Sequence, residues 1–149
     1  MTVAEKTINI NRPQQEVFDF ASNPVNAHKW QHTVKSQKWT SEDPHGVGST
    51  QRGVTRFLGR DVETILEYTA WDPPNHFARK MVNGPFPFEG RMRFEPNGNG
   101  TLVAMIGQTE AGGFFKLARG LLKKQMESNI ESDLESLKIL LESGSEETS

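Results

Sequence analysis

Apolar and polar positions alternate with a period of two over most of this chain, and only near the C-terminus does the period lengthen to that of a helix. Phe88, Gly90, Met92 and Phe94 alternate with Glu89, Arg91, Arg93 and Glu95. That is the pattern of a strand with one dry and one wet face. Val62, Thr64, Leu66 and Tyr68 alternate in the same way with Asp61, Glu63 and Glu67. Weaker alternation marks further strands over residues 3–10, up to Trp39, through Val54 and Phe57, over 77–83 and over 101–109. Their separators are turn clusters: Glu42 to Gly48, Gly59-Arg60-Asp61, Asp72-Pro73-Pro74, Gly84-Pro85 and Pro96 to Gly100. Prolines cannot donate to a ladder, and Asn-Gly tolerates positive φ, so these stretches reverse the chain.

Two helical regions interrupt the strands. Asn11-Arg12-Pro13 opens a short helix with Val17, Phe18, Phe20 and Ala21 on its apolar side. Asn23-Pro24 ends it, and a second helical turn reaches about Lys29. Near the end, Phe115, Leu122, Met126, Ile130, Leu134, Leu137 and Leu141 recur at helical steps, predicting one long helix from about Gly113 to Glu142. Residues 143–149 are polar and are expected to form a disordered tail. The order predicts an α+β domain spanning 1–149: six or seven antiparallel strands, two short helices after the first, and a long C-terminal helix covering the dry face.

The 149 residues, 34% of them hydrophobic, suit a single domain. A net charge of −2 with interspersed signs gives no footprint for nucleic acid. Basic residues from Arg52 to Arg93 sit beside aromatics, as on RNA-binding sheets. Glu63, Glu67, Glu89 and Glu95 alternate among them, and a solvated outer face explains both. There is no cysteine, no N-terminal export signal and no apolar run long enough for a membrane span, so the expectation is a cytoplasmic protein without stable membrane insertion.

Three motifs are excluded. His28 and His32 stand four apart, but Lys29 replaces the glutamate of a metalloprotease helix and no third ligand is evident, so no metal is expected. Gly46 to Gly53 is glycine-rich, but Gln51 stands where a dinucleotide fingerprint needs glycine. Asn99-Gly100-Thr101 is formally a glycosylation sequon and reads better as a turn. No cofactor is called for.

The stretches "INRPQQEVFDFASNP", "YTAWDPPNHF", "GPFPFEGRMRFEP" with "GNGT", and "GGFFKLARGLLKKQMESNIESDLESLKILLE" together resemble the START-like (Bet v 1-like, SRPBCC) superfamily. The resemblance covers nearly the whole chain and is nearest to the polyketide cyclase/dehydrase and lipid-transport branch. It implies a helix-grip fold, a curved sheet wrapped around the last helix, with an internal cavity for a hydrophobic small molecule. It implies no particular ligand and no universal catalytic motif.

On that reading the cavity wall is drawn from Phe57, Phe77, Met81, Phe88, Met92 and Met105 on strands and Leu122 and Met126 on the helix. Methionine adapts to varied apolar guests. Tyr68, the only tyrosine, shares a face with Val62 and Leu66, so its hydroxyl points inward and needs a partner in ligand, water or protein. Arg79 alternates with Phe77 and Met81, so either it or the pair Ala78 and Val82 enters the cavity. Arg119, Asn129 and Asp133 fall within or beside the helical stripe, either as polar anchors or as its border.

The leading expectation is a carrier of a lipid- or polyketide-like molecule. The alternatives are a polyketide cyclase/dehydratase, for which no clean acid–base pair is evident, and a protein-interaction module. Oligomeric state, including a homodimer, stays open.

Overall fold

A computed structural model describes residues 2–57, 59–110 and 119–147. The chain begins on one sheet edge as β1 (Thr2–Ile10) and crosses the sheet through α1 (Gln14–Ser22), a 3-10 turn (Pro24–Asn26) and α2 (Ala27–Trp30). It then returns strand by strand through β2 (Val34–Trp39), β3 (Thr50–Phe57), β4 (Arg60–Asp72), β5 (His76–Asn83), β6 (Phe88–Asn97) and β7 (Gly100–Thr109). The spatial order is β1-β7-β6-β5-β4-β3-β2, with every neighbouring pair antiparallel. The long helix α3 (Arg119–Glu147) packs chiefly on β1, with smaller contacts to β7 and α2. This is the expected α+β helix-grip fold, with seven strands.

The expected turns occur where punctuation in the sequence puts them. Asn97 pairs with Gly100 across a two-residue hairpin in which Gly98 takes φ +61°, a conformation that favours glycine. At Pro73-Pro74 the reversal is closed by Asn75 N–H donating to the Asp72 carbonyl at 2.7 Å. That turn also holds α1, since Gln14 Nε2 donates to Asn75 Oδ1 at 3.2 Å and to the Phe94 carbonyl at 2.7 Å.

The start of α3 expected at Gly113 lies outside the described residues. At the other end the helix continues to Glu147, so the disordered tail expected over 143–149 gives way to helix through 147. Ser143 Oγ donates back to the Ile139 carbonyl at 2.6 Å, the back-bond a serine makes inside a helical turn. Arg12 ties this region to β1: its Nε and one terminal nitrogen donate to the carbonyls of Leu141 and Glu142 at 3.1 and 3.0 Å. Asn11 N–H donates to Glu142 Oε2 at 2.9 Å, and with Lys138 it holds the Glu142 carboxyl below the usual carboxylate range.

The outer face of the sheet is wet. Arg52–Glu63, Arg56–Asp61, Lys80–Glu67 and Arg93–Glu5 are ion pairs between exposed or half-buried side chains there. Such pairs contribute little. Changing Glu63 or Arg91 to Gln is therefore expected to move the denaturation midpoint by no more than about 0.5 kcal/mol equivalent. A larger shift in urea melts would invert the sidedness of β4 and β6. No described helix is long and apolar enough to cross a membrane.

Candidate ligand-binding site

Ladder partners in an antiparallel sheet share a face, so the register fixes which side chains look toward α3. Phe57 on β3, Leu66 and Tyr68 on β4, Phe77, Arg79 and Met81 on β5, Phe88, Gly90, Met92 and Phe94 on β6, and Met105 and Gly107 on β7 all lie inside. The question left open for β5 is thereby answered: Arg79 is on the inner face and Val82 is exposed. Ala78 is buried on the opposite face, in register with Ala70 and Arg91.

This face divides into two zones. Beneath α1 and α2 it is solid: Phe18, Trp30, Tyr68, Phe77, Met92 and Phe94 are each at most 1% exposed. Phe18 meets Phe77 and Phe94 edge-on at centroid distances of 5.8 and 5.3 Å, a favourable aromatic geometry. Tyr68, Phe77 and Met92, expected as cavity wall, are here packed against protein.

Toward the opposite end the same face stays half-open. Phe57, Leu66, Met81, Phe86, Phe88, Met105, Leu122 and Met126 are only partly buried. Phe57 and Phe86 lie 4.9 Å apart, Phe86 and Phe88 6.4 Å, and Phe88 and Met126 both reach over Gly107. An unbroken apolar strip thus runs from β3 to the N-terminal half of α3. Phe86 was missed from sequence because it sits between two prolines and reads as turn.

A polar seam crosses the inner face between these zones, and its centre was also missed. Gln51 Oε1 accepts from Arg79 at 3.1 Å and from the Tyr68 hydroxyl at 2.8 Å, while its Nε2 donates to Gln37 Oε1 at 3.1 Å. Gln37 Nε2 donates to Thr64 Oγ1 at 3.1 Å, and Thr55 lies 3.3 Å beyond. The Tyr68 proton has an alternative acceptor in the Ser22 carbonyl at 3.1 Å. Its partner is therefore the protein. Burial pushes the phenol above its usual value of 10.0, with Arg79 pulling the other way, so Tyr68 stays protonated and cannot serve as a base near neutral pH. Arg79 also stands over the rings of Tyr68 and Phe77, at 5.8 and 5.2 Å.

The polar candidates on α3 separate. Asn129 is exposed and accepts from Gln125 at 2.9 Å, away from the inner face. Ile130, four residues after Met126, takes the seam instead. The Arg119 side chain lies outside the described residues. Asp133 is buried and accepts from His32, from its backbone N–H at 3.0 Å and at Nδ1 across 2.9 Å. Burial raises its carboxyl to about 6 against the pull of His32.

Two hollows stand out among the described residues, of about 330 and 290 Å³. The larger is lined by Lys6, Thr7, Ile8, Glu131, Leu134 and Glu135, and the smaller runs along Asn9 to Asn11 and the β6–β7 hairpin. Neither is lined by any of the expected site residues.

Comparison with known proteins places these features in context. The family model described as polyketide cyclase / dehydrase and lipid transport matches residues 1–142. A search of curated proteins gave no match. Among solved structures, TTHA0849 from Thermus thermophilus is 25% identical, with a TM-score of 0.80 over 96% of this chain and 99% of that one. A START superfamily protein from Mycobacterium smegmatis is 15% identical, with a TM-score of 0.76 over 95% and 99%. The Zhui aromatase/cyclase from Streptomyces sp. R1128 is 16% identical, with a TM-score of 0.73 over 91% and 90%. The last two likenesses establish fold alone.

Proposed function

This chain belongs to the polyketide cyclase / dehydrase and lipid transport family, and from that premise we propose that it binds a hydrophobic small molecule between the half-open inner face and the N-terminal half of α3. The observation that carries this reading is the contrast between the two zones. One end of the interior is sealed by six side chains at 1% exposure or less. The other keeps Phe57, Phe86, Phe88 and Met126 in one partly exposed strip. Apolar surface left wet in this way gains roughly 25 cal/mol per Å² when a guest covers it. Thioether and aromatic walls adapt to guests of different shape.

A second reading, a cyclase or dehydratase, draws on the meeting of the Tyr68 hydroxyl and the Arg79 guanidinium at Gln51 Oε1. The two readings part on Tyr68→Phe. A structural hydroxyl in a carrier should alter affinity by no more than about tenfold. A catalytic one should cost orders of magnitude in turnover.

The binding itself is tested with an environment-sensitive apolar dye and by native mass spectrometry of freshly purified protein. Saturable one-site binding is expected. Met126→Glu should weaken it at least tenfold while the far-ultraviolet spectrum is unchanged. Unaltered dye affinity in a folded Met126→Glu protein would move the site away from α3.

A further inference from the structure

We infer that Ser136 is an activated nucleophile on an accessible flank of α3, which takes an acyl group from small activated esters through a relay with His32 and Asp133. The relay lies outside the proposed ligand site and is independent of it. Asp133 and Ser136 are three residues apart on α3, one helical turn along the same side. His32, in the connection between α2 and β2, reaches both. Its Nδ1 is 2.9 Å from Asp133 Oδ1, and the Ser136 hydroxyl lies 3.3 Å from its Nε2. Each ring nitrogen thus meets the group that a nucleophile, base and orienting carboxylate require, in the required order.

The ring is held in place before any substrate arrives. His32 N–H donates to the same Asp133 oxygen at 3.0 Å. On either side, Gln31 N–H donates to the Ala27 carbonyl at 2.8 Å and Val34 N–H to the Gln31 carbonyl at 3.1 Å. The Asp133 side chain is 11% exposed and that of His32 53%, so the orienting carboxylate is sheltered while the base is open to substrate. Above about pH 6 the Asp133 carboxyl gives up its proton and can only accept, so Nδ1 carries the ring proton. Nε2 then turns its lone pair to Ser136, whose hydroxyl donates to it. Backbone N–H groups at Ser136 are committed to the helix, so solvent faces a developing oxyanion. The two hollows among the described residues include neither His32 nor Ser136. Both facts restrict the substrate to small esters with a good leaving group.

In the acylation step Ser136 Oγ bonds to the carbonyl carbon as its proton passes to His32 Nε2. The carbon–oxygen bond to the leaving group breaks, its electron pair stays on that oxygen, and the imidazolium returns its proton to solvent. Water then attacks the acyl-serine and gives a proton to His32 Nε2. That proton passes to Ser136 Oγ as the carboxylic acid departs, so ester and water become acid and alcohol.

The test uses p-nitrophenyl acetate at pH 8, with p-nitrophenolate release followed by absorbance and the acetyl group located by peptide mass spectrometry. Wild type should carry acetyl on Ser136. Ser136→Ala should lose that adduct, and alanine suits a helix at least as well as serine. His32→Gln should slow acetylation of Ser136 by about 100-fold, the lower end of what a positioned base contributes. Asp133→Asn should slow it as well, because an amide donates as readily as it accepts and no longer dictates the ring tautomer. Acetylation of wild type confined to amines overturns the inference. So does acetylation of Ser136 at one rate in wild type and a folded His32→Gln protein, which would make the contact a tie between α2 and α3. If His32→Gln does not fold, Asp133→Asn decides in its place, and an unchanged Ser136 rate there overturns the inference equally.

Discussion

Replacing Leu137 with alanine is expected to destabilise the protein by about 2–5 kcal/mol, the range for a large-to-small change in a core that cannot collapse. Leu137 is fully buried and belongs to the same cluster as Ile10, Val17, Leu134 and Leu141. Here the C-terminal half of α3 meets β1 and α1, and Arg12 and Glu142 pin the backbone beside the contact. A backbone held in this way relaxes little into a new cavity, which argues for the upper part of the range. Ile139, two residues on, is 68% exposed. Its replacement by alanine should stay within about 0.5 kcal/mol. Urea melts of both variants check the pair. A loss below about 0.5 kcal/mol for Leu137→Ala would mean that α3 is held elsewhere.

The same helix explains what could and could not be read from sequence. Alternation in β4 and β6 was legible because apolar and charged residues occupy opposite faces over several steps. The apolar stripe of α3 was legible for the same reason, at the helical period. In β3 the inner positions before Phe57 are Gln51, Gly53 and Thr55, and the outer ones include Val54. Hydropathy there points the wrong way, so the hub of the polar seam passed unnoticed. Polar side chains that satisfy one another can occupy an inner face, and only the cross-strand register reveals the pairing.

Asn129 shows the limit of spacing arguments on a helix. It is three residues past Met126, and Ile130 is four; the difference of one residue is about 100° of rotation. Both spacings fit a stripe in the sequence, but only one side chain takes the seam. Tyr68, Phe77 and Met92 were correctly assigned to the interior, yet sequence could not distinguish wall from solid core. That distinction depends on how α1 and α2 seal one end, through contacts such as Phe18 with Phe94 that join residues far apart in the chain.

Asp133 should make stability fall as pH rises from about 4 to about 6. Its carboxyl is raised from 3.8 to about 6, because burial on α3 penalises the charged form more than His32 favours it. Across that window the folded protein keeps the proton that the unfolded chain has released. The unfolded state then binds fewer protons, so stability declines with pH and the loss is complete above the folded value. Each unit corresponds to about 1.4 kcal/mol, so the cost is on the order of 2–3 kcal/mol. The backbone N–H and the imidazole Nδ1 of His32 are its hydrogen-bond partners, and the other ring nitrogen of His32 lies 3.3 Å from the Ser136 hydroxyl. Asp133→Asn keeps an oxygen to accept the His32 backbone N–H and removes the charge. The variant should match wild type near pH 4 and exceed it by about 2–3 kcal/mol at pH 7.5. Subtracting the two pH–stability curves cancels the other carboxylates, whose titration both proteins share. Parallel curves would show that the Asp133 carboxylate is solvated as well in the folded protein as in the unfolded chain. A curve in which wild type gains over Asp133→Asn as pH rises would reverse the sign, and would make the His32 pair, rather than burial, the dominant influence on this helix.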